Sequence, residues 1–208
     1  MAPPEPSLER VEAPEPERDA GEEAQEENAV DRAEAGDALA DDAGIADEAR
    51  DRAEAAGGLF NRGRALFDDG EFERAIAYFD EAISLSPDFA AAYLNRGLAF
   101  LWASEFELAV RDFSRALSFG PCFYAHFNRG LAFLALHDGY WMAALDDLTH
   151  SIRLNDAFLD AYIHRGILFW GIGRSAEAIA DFEAALRVDP DDSWAADWLE
   201  YARRHAGD

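Results

Sequence analysis

Small and apolar side chains recur three and four residues apart through residues 56–192, and the whole pattern then repeats. Such spacings place side chains on one face of an α-helix. The tripeptide Asn-Arg-Gly stands at 61–63, 95–97 and 128–130, and His-Arg-Gly stands at 164–166. The four glycines are 34, 33 and 36 residues apart. This period predicts an all-α fold, a right-handed α-solenoid of four helix-turn-helix units that bury their apolar faces against one another.

Each unit carries the same kinds of residue at the same places. When the two extra residues of the third unit are skipped, glycine stands at the eighth place, alanine at the twentieth, a large apolar residue at the eleventh and twenty-fourth, and proline closes three of the four units. The units are 56–89, 90–122, 123–158 and 159–192. This pattern resembles the tetratricopeptide repeat family over about three quarters of the chain. Residues 193–205 are amphipathic, which predicts a helix that caps the last repeat.

The third repeat departs from the others. It has two extra residues near 136–138, and His126, Ser151 and Asp156 stand where the other repeats have an aromatic residue or leucine, alanine and proline. The interval from Trp141 to the following repeat alanine equals that of the other repeats. The insertion is therefore predicted in the turn within the repeat and not in its second helix.

Arginine follows the asparagine or histidine of each motif, and aspartate recurs in three of the second helices. The arginines are Arg62, Arg96, Arg129 and Arg165, and the aspartates are Asp112, Asp147 and Asp181. We interpret them as structural ion pairs between neighbouring helices, whose net contribution to stability is small.

The family resemblance implies that the first helix of each repeat lines a concave surface, with defined places facing a ligand. These places hold mainly apolar and aromatic side chains, and a large exposed apolar surface is typical of a binding site. The candidate peptide-binding residues are Phe60, Asn61, Arg64, Phe67, Leu94, Asn95, Leu98, Leu101, Trp102, Tyr124, Phe127, Asn128, Leu131, Ile163, His164, Ile167 and Trp170.

Within this set, Asn61, Asn95, Asn128 and His164 form a ladder of hydrogen-bonding side chains. An amide both donates and accepts, so it can pair with the backbone of any peptide. The arrangement is similar to the asparagine ladder of O-linked N-acetylglucosamine transferases. Large aromatics such as Trp102 and Trp170 are the expected anchors. The alternative, that the large side chains are core and the asparagines a habit of this repeat subtype, stays open at this point.

Other activities of the family are not expected. The clamp for a terminal carboxylate needs paired basic residues, and only its middle asparagine is matched here. The five histidines are dispersed, Cys122 is the only cysteine, and no catalytic or metal-binding spacing occurs. We therefore expect that the protein is not an enzyme and binds no cofactor. We expect it to be an adaptor or scaffold that binds a peptide or amphipathic helix. The alternative is a secretion or assembly chaperone that shields an apolar client segment.

Charge is concentrated near the start of the chain. Residues 1–55 contain 19 acidic and 5 basic side chains and five of the eight prolines, which predicts an acidic, disordered tail with a frayed helix within 29–55. Gly57 and Gly58 are expected to end that helix and open the repeat domain, 56–208. Val30, Leu39 and Ile45 could dock in the groove, although a solubilising tail is the simpler interpretation.

The formal net charge of −25 argues against nucleic acid and against an anionic membrane, and is compatible with a basic partner. The sequence has no apparent signal peptide or membrane span, so a cytoplasmic location is expected. A protein or peptide partner is predicted without identifying it, and self-association through the terminal repeats is left open.

Overall fold

The computed structural model describes residues 45–136 and 139–206. Contacts divide the chain after residue 50 into two units, and the repeats belong to the unit that begins at Asp51. The expectations for the tail up to residue 44 lie outside the described residues. Within the described ranges the regular structure is entirely helical, which confirms the predicted all-α helical-repeat solenoid.

Nine helices follow one another in the described residues and form four hairpins and a final single helix. They are α1 (45–68), α2 (Phe72–Leu85), α3 (Ala90–Trp102), α4 (Phe106–Leu117), α5 (Phe123–Ala135), α6 (Trp141–Leu154), α7 (Leu159–Gly171), α8 (Ser175–Val188) and α9 (Ser193–His205). The first helices of the repeats, α1, α3, α5 and α7, are called the A helices below, and α2, α4, α6 and α8 the B helices.

The expected helix break at Gly57 and Gly58 is wrong, because both glycines lie inside α1. A glycine in a helix costs about 1 kcal/mol relative to alanine, which the alanines and apolar residues on both sides offset. The helix therefore runs across the sequence boundary at 55–56. The last helix, by contrast, spans the range that the sequence predicts for the cap.

The two helices of a hairpin meet at glycine. Gly97 lies against the fully buried ring of Phe113, and a Cβ at this position would stand 2.8 Å from the nearest ring carbon. Gly63 and Gly166 make the same contact with Phe79 and Phe182, at 2.7 Å. These positions need glycine because any side chain would overlap the ring, and the spacing of A and B helices depends on this contact.

The turns between A and B helices show where the third repeat differs. In all four repeats the turn has a residue with positive φ, at Gly70 (78°), Ser104 (62°), Gly139 (96°) and Gly173 (77°). In the third repeat α5 ends at Ala135 and α6 begins at Trp141, so the turn is longer, and the extra residues lie outside the second helix, as predicted. Residues 137 and 138 themselves lie outside the described residues.

The A helices lie on the inner side of the curved unit. Of the A helices, α3 contacts α5, while among the described residues no comparable contact joins one B helix to the next. α9 continues this inner row because it packs on both α7 and α8. Its buried Ala195 and Ala202 repeat the seven-residue spacing of Ala92 and Ala99 in α3.

Three of the four motif arginines each join three helices. Arg96 of α3 makes a two-pronged hydrogen bond to Asp112 of α4, at 2.6 and 2.7 Å, and its third nitrogen reaches Asp80 of α2. Burial lowers the pKa of Arg96, but Asp112 and then Asp80 outweigh it, so the net shift is upward and the guanidinium stays charged.

The next two repeats copy this arrangement. Arg129 pairs with Asp147 at 2.7 and 2.8 Å and donates to Ser114 Oγ of the preceding B helix. Arg165 pairs with Asp181 at 2.8 and 2.7 Å and donates to Thr149 Oγ1. The predicted structural ion pairs are thus present in three repeats. In the first repeat Tyr78 stands at the aspartate position, and Arg62 has no ion pair among the described residues.

Candidate functional site

The inner face, which we define as the candidate binding residues on the A helices, is accessible to solvent and largely apolar. Trp102 is its most prominent side chain, with 66% of its surface exposed. Tyr124, Asn61 and Arg64 are also exposed. Ten further candidates are half-buried and present part of their surface: Phe60, Phe67, Leu94, Asn95, Leu98, Leu101, Leu131, His164, Ile167 and Trp170.

Three candidates belong to the core instead, and the predicted ligand contact is corrected for them. Ile163 is 0% exposed and packs with Ala185 and Ala195, between α8 and α9. Phe127 is 7% exposed, and its ring meets those of Phe158 and His164 at 4.9 and 5.3 Å between centroids. Asn128 is 5% exposed. For Ile163 and Phe127, the alternative interpretation, that the large side chains are part of the core, is the one that applies.

The polar ladder is also different from the one expected. Asn95 Nδ2 donates to the carbonyl of Ala91, and Asn128 Nδ2 to that of Tyr124, each at 2.8 Å. His164 Nδ1 lies 2.8 Å from the carbonyl of Asp160 and therefore donates to it. Each donor thus bonds to its own helix, four residues earlier. The half-buried Asn95 and His164 then offer a ligand an acceptor, Oδ1 and Nε2 respectively.

Apolar surface is concentrated near both ends of the inner face. Around α1–α3, Trp102 stacks on Phe72 of α2, with ring centroids 6.1 Å apart and planes 15° from parallel, and Phe72 contacts Phe67 at 5.4 Å. Between α3 and α5 a cavity of about 310 Å³ is lined by Leu94, Phe119 and Cys122, among others. Both features lie beside predicted site residues.

The other end holds a site that the sequence interpretation missed. A cavity of about 380 Å³, which we call the α9 pocket, is lined by Trp170, Trp194, Asp197, Trp198 and Tyr201. Four of these belong to α9, for which the sequence predicts only the role of a cap. A signal for them exists in the sequence. When Ala195 and Ala202 are aligned with the alanines of α3, the four fall at the second, fifth, sixth and ninth places, which the family resemblance predicts to face a ligand in the earlier repeats.

The outer side of the third repeat contains the remaining cluster of titratable groups. His126 Nδ1 lies 2.7 Å from Asp147 Oδ1, and the His126 ring stacks on His150 at 5.1 Å. Both oxygens of Asp147 are also bonded to Arg129, so this carboxylate is committed to the ion pair. Within the described ranges no group of three or more acidic, histidine or cysteine side chains is arranged to hold a metal ion. The helices of those ranges are also too short or too polar to cross a membrane.

Comparisons with known proteins agree with the repeat pattern. A family model described as "TPR repeat" matches residues 63–101, and one described as "Tetratricopeptide repeat" matches residues 159–192. Among solved structures, a MamA fragment from Desulfovibrio magneticus RS-1 is similar, with 21% identity, a TM-score of 0.66, and coverage of 73% of this chain and 86% of that one.

Two further solved structures have the same fold. YrrB, described as a TPR protein with an unusual peptide-binding site, is 24% identical over 72% of this chain and 76% of its own, with a TM-score of 0.62. A tetratricopeptide repeat protein from Parabacteroides merdae ATCC 43184 is 22% identical over 73% of this chain and 61% of its own, with a TM-score of 0.64. At these identities the likeness establishes the helical-repeat fold alone.

Proposed function

Because the chain belongs to the tetratricopeptide repeat family, we propose that it is a non-enzymatic scaffold whose inner face binds a peptide segment of another protein. The observation that carries this proposal is the exposure of Trp102, which stands out from a row of half-buried apolar side chains. An exposed tryptophan lowers the solubility of a protein. Tryptophan also contributes much of the binding energy at protein interfaces.

The bound segment would lie across the A helices. Its apolar side chains would contact Trp102 and Phe67 at one end and enter the cavity beside Leu94 next to it. Its backbone N–H groups would donate to Asn95 Oδ1 and His164 Nε2, since the bonds that both side chains make to their own helices leave these acceptor atoms unused. A single segment of this kind is expected to bind with micromolar affinity, about −8 kcal/mol.

A selection from random peptides displayed on phage tests the proposal without knowledge of the partner. Full-length protein is the bait, and selected peptides are synthesised and their Kd values measured by calorimetry. Trp102→Ala and Leu131→Ser, both on the inner face, should each weaken binding about tenfold or more.

Trp141 of α6 provides the matched control, because it is also an exposed tryptophan but lies on a B helix. Trp141→Ala should leave the affinity unchanged. If Trp141→Ala weakens binding while Trp102→Ala does not, the peptides bind outside the inner face and the proposal is refuted.

A chaperone that shields a client segment would use the same surface, and no feature of the described residues favours it over a scaffold. Co-expression separates the two, since a chaperone should keep an otherwise insoluble client in solution. Docking of the chain's own Val30 and Leu39 concerns residues outside the described ranges, and Ile45 is exposed at the start of α1.

A further inference from the structure

The α9 pocket combines aromatic rings with an unbonded carboxylate. Trp170 and Trp198 each meet the ring of Tyr201 nearly edge-on, at 5.5 and 5.9 Å between centroids, so the rings form walls in different planes. Trp198 is fixed from behind by a stacked contact of 5.8 Å with Phe182 of the core. The walls are therefore held by packing and do not depend on a ligand.

Elsewhere in the described residues, two arginines lie where aromatic rings and a carboxylate come together. The guanidinium of Arg165 lies over Tyr162 and Phe169, at 5.9 and 5.8 Å from their ring centres, while it is bonded to Asp181. Arg96 does the same with Tyr93, Phe100 and Asp112. Arginine suits such sites because its flat cation stacks on aromatic rings and pairs with carboxylates at the same time.

The α9 pocket has the rings and the carboxylate, but no arginine of the described residues lines it. The two arginines of α9 are bonded elsewhere, Arg203 to Glu183 and Arg204 to Glu200. Asp197 is exposed and has no ion pair or hydrogen bond within the described part of the chain. Two histidine rings contact the aromatic lining, His164 at Trp194 and His205 at Tyr201, and both donate Nδ1–H to their own helix.

We propose that the α9 pocket binds an arginine side chain of a partner protein, with the guanidinium against the tryptophans and paired with Asp197. The net charge of −25 favours a basic partner, because long-range attraction raises the rate of encounter. The proposal rests on the proposed function only for the source of the arginine. The pocket can be tested with a short probe that is too small to span the inner face.

The probe is the blocked tripeptide acetyl-Gly-Arg-Gly-amide, compared with the same tripeptide carrying citrulline, which has nearly the shape of arginine but no charge, or lysine. The full chain has five tryptophans, and their indole N–H signals in a ¹⁵N NMR spectrum can be assigned by single Trp→Phe substitutions. The arginine probe should shift the signals of Trp170, Trp194 and Trp198 saturably, with a Kd on the order of millimolar, and leave those of Trp102 and Trp141 in place.

Two variants and a charge control identify the groups involved. Trp194→Ala should lower the affinity for the arginine probe about tenfold, and Asp197→Asn should lower it about fivefold. Asp69→Asn removes the same charge from an exposed position in the turn between α1 and α2, far along the chain from the pocket, and should have no effect. All three positions are exposed, so the fold should survive each change, and the remaining indole signals check this.

Several outcomes would overturn the assignment. If the citrulline probe binds as tightly as the arginine probe, the pocket does not recognise the charge and is only an apolar site. If the lysine probe binds as tightly, the pocket has no preference for arginine. If the arginine probe causes no saturable shift up to its solubility limit, the pocket is not an arginine site. If replacing Arg10, Arg18 and Arg32 of the full chain by glutamine increases the affinity for the arginine probe, an arginine of the chain itself occupies the pocket. If the Trp194 signal changes on dilution without probe, the occupant is a second copy. Trp102→Ala should abolish binding of the selected peptides but not binding of the arginine probe. The two proposals can therefore fail separately.

Discussion

The motif glycines differ in what stands opposite them, and this decides what each position tolerates. Gly97 faces the ring of Phe113, whereas Gly130 faces the smaller Leu148, whose Cγ would lie 3.3 Å from an added Cβ. Both Leu148 and Phe113 are fully buried, but the contact at Gly130 would require a shift of only a few tenths of an ångström, whereas the overlap at Gly97 would force the ring or the helices apart.

Gly97→Ala is therefore expected to lower the free energy of unfolding by up to about 2 kcal/mol, since overpacking costs about 1–3 kcal/mol and the better helix propensity of alanine returns about 1 kcal/mol. Gly130→Ala should be close to neutral. Gly58→Ala, where an added Cβ meets nothing within 4 Å, is the control and should be stabilising. Urea denaturation followed by circular dichroism gives the order, and a Gly97→Ala protein as stable as Gly58→Ala would contradict the steric account.

The candidate site was predictable from the sequence only in part at this scale. The places of Trp102 and Leu131 on the inner face follow from the repeat register. The burial of Asn128 does not, because it depends on how closely α5 and α7 approach and on the local bond from its amide to the carbonyl of Tyr124. A residue's place within a repeat fixes its direction, whereas its exposure depends on the neighbouring helix.

At the scale of helices, the arginine–aspartate pairs could be predicted because both partners recur in register. The hydrogen bond from each arginine to a third helix could not be predicted, since the residues that accept this bond differ in chemistry. They are Asp80, Ser114 and Thr149. The long turn of the third repeat was predictable from sequence intervals. The continuity of α1 through two glycines was not, because a glycine pair ends a helix only where the flanking residues do not favour one.

Removing one partner of a mostly buried pair leaves a charge without compensation. Arg165→Met keeps most of the side-chain volume but strands the buried carboxylate of Asp181, so the free energy of unfolding should fall by about 3 kcal/mol. Arg204→Met, which breaks the exposed pair with Glu200 within α9, should change it by less than about 0.5 kcal/mol. Similar losses in both variants, measured by urea denaturation, would mean that Arg165 contributes no more than a surface charge.

At the scale of the whole molecule, α9 serves the core and the surface with opposite faces. Leu199 and Ala202 are buried against Phe169 and Phe182 of the last hairpin, while Trp194 and Tyr201 remain exposed. Sequence pattern predicted the first role, because an amphipathic helix after the last repeat covers its apolar side. The second role follows only when the helix is aligned with the A helices before it.

Deletion of residues 193–208 should therefore expose Phe182 and its neighbours and lower the thermal midpoint by more than about 5 °C, with increased binding of the apolar dye ANS. Trp194→Ala in the intact chain serves as the control, because it removes an exposed aromatic from the same helix and should leave the midpoint within about 1 °C of the parent. A deletion variant that melts like the parent would show that the last hairpin is stable uncovered.

The three-helix arginine contacts also limit how modular this array is. Repeat proteins are often treated as interchangeable blocks, yet here each of three blocks depends on a polar atom supplied by the block before it. A hairpin transplanted from another position would keep its own aspartate but lose the donor–acceptor match with its new neighbour. Shuffling or lengthening this protein would therefore require exchanging residues in pairs across the junction.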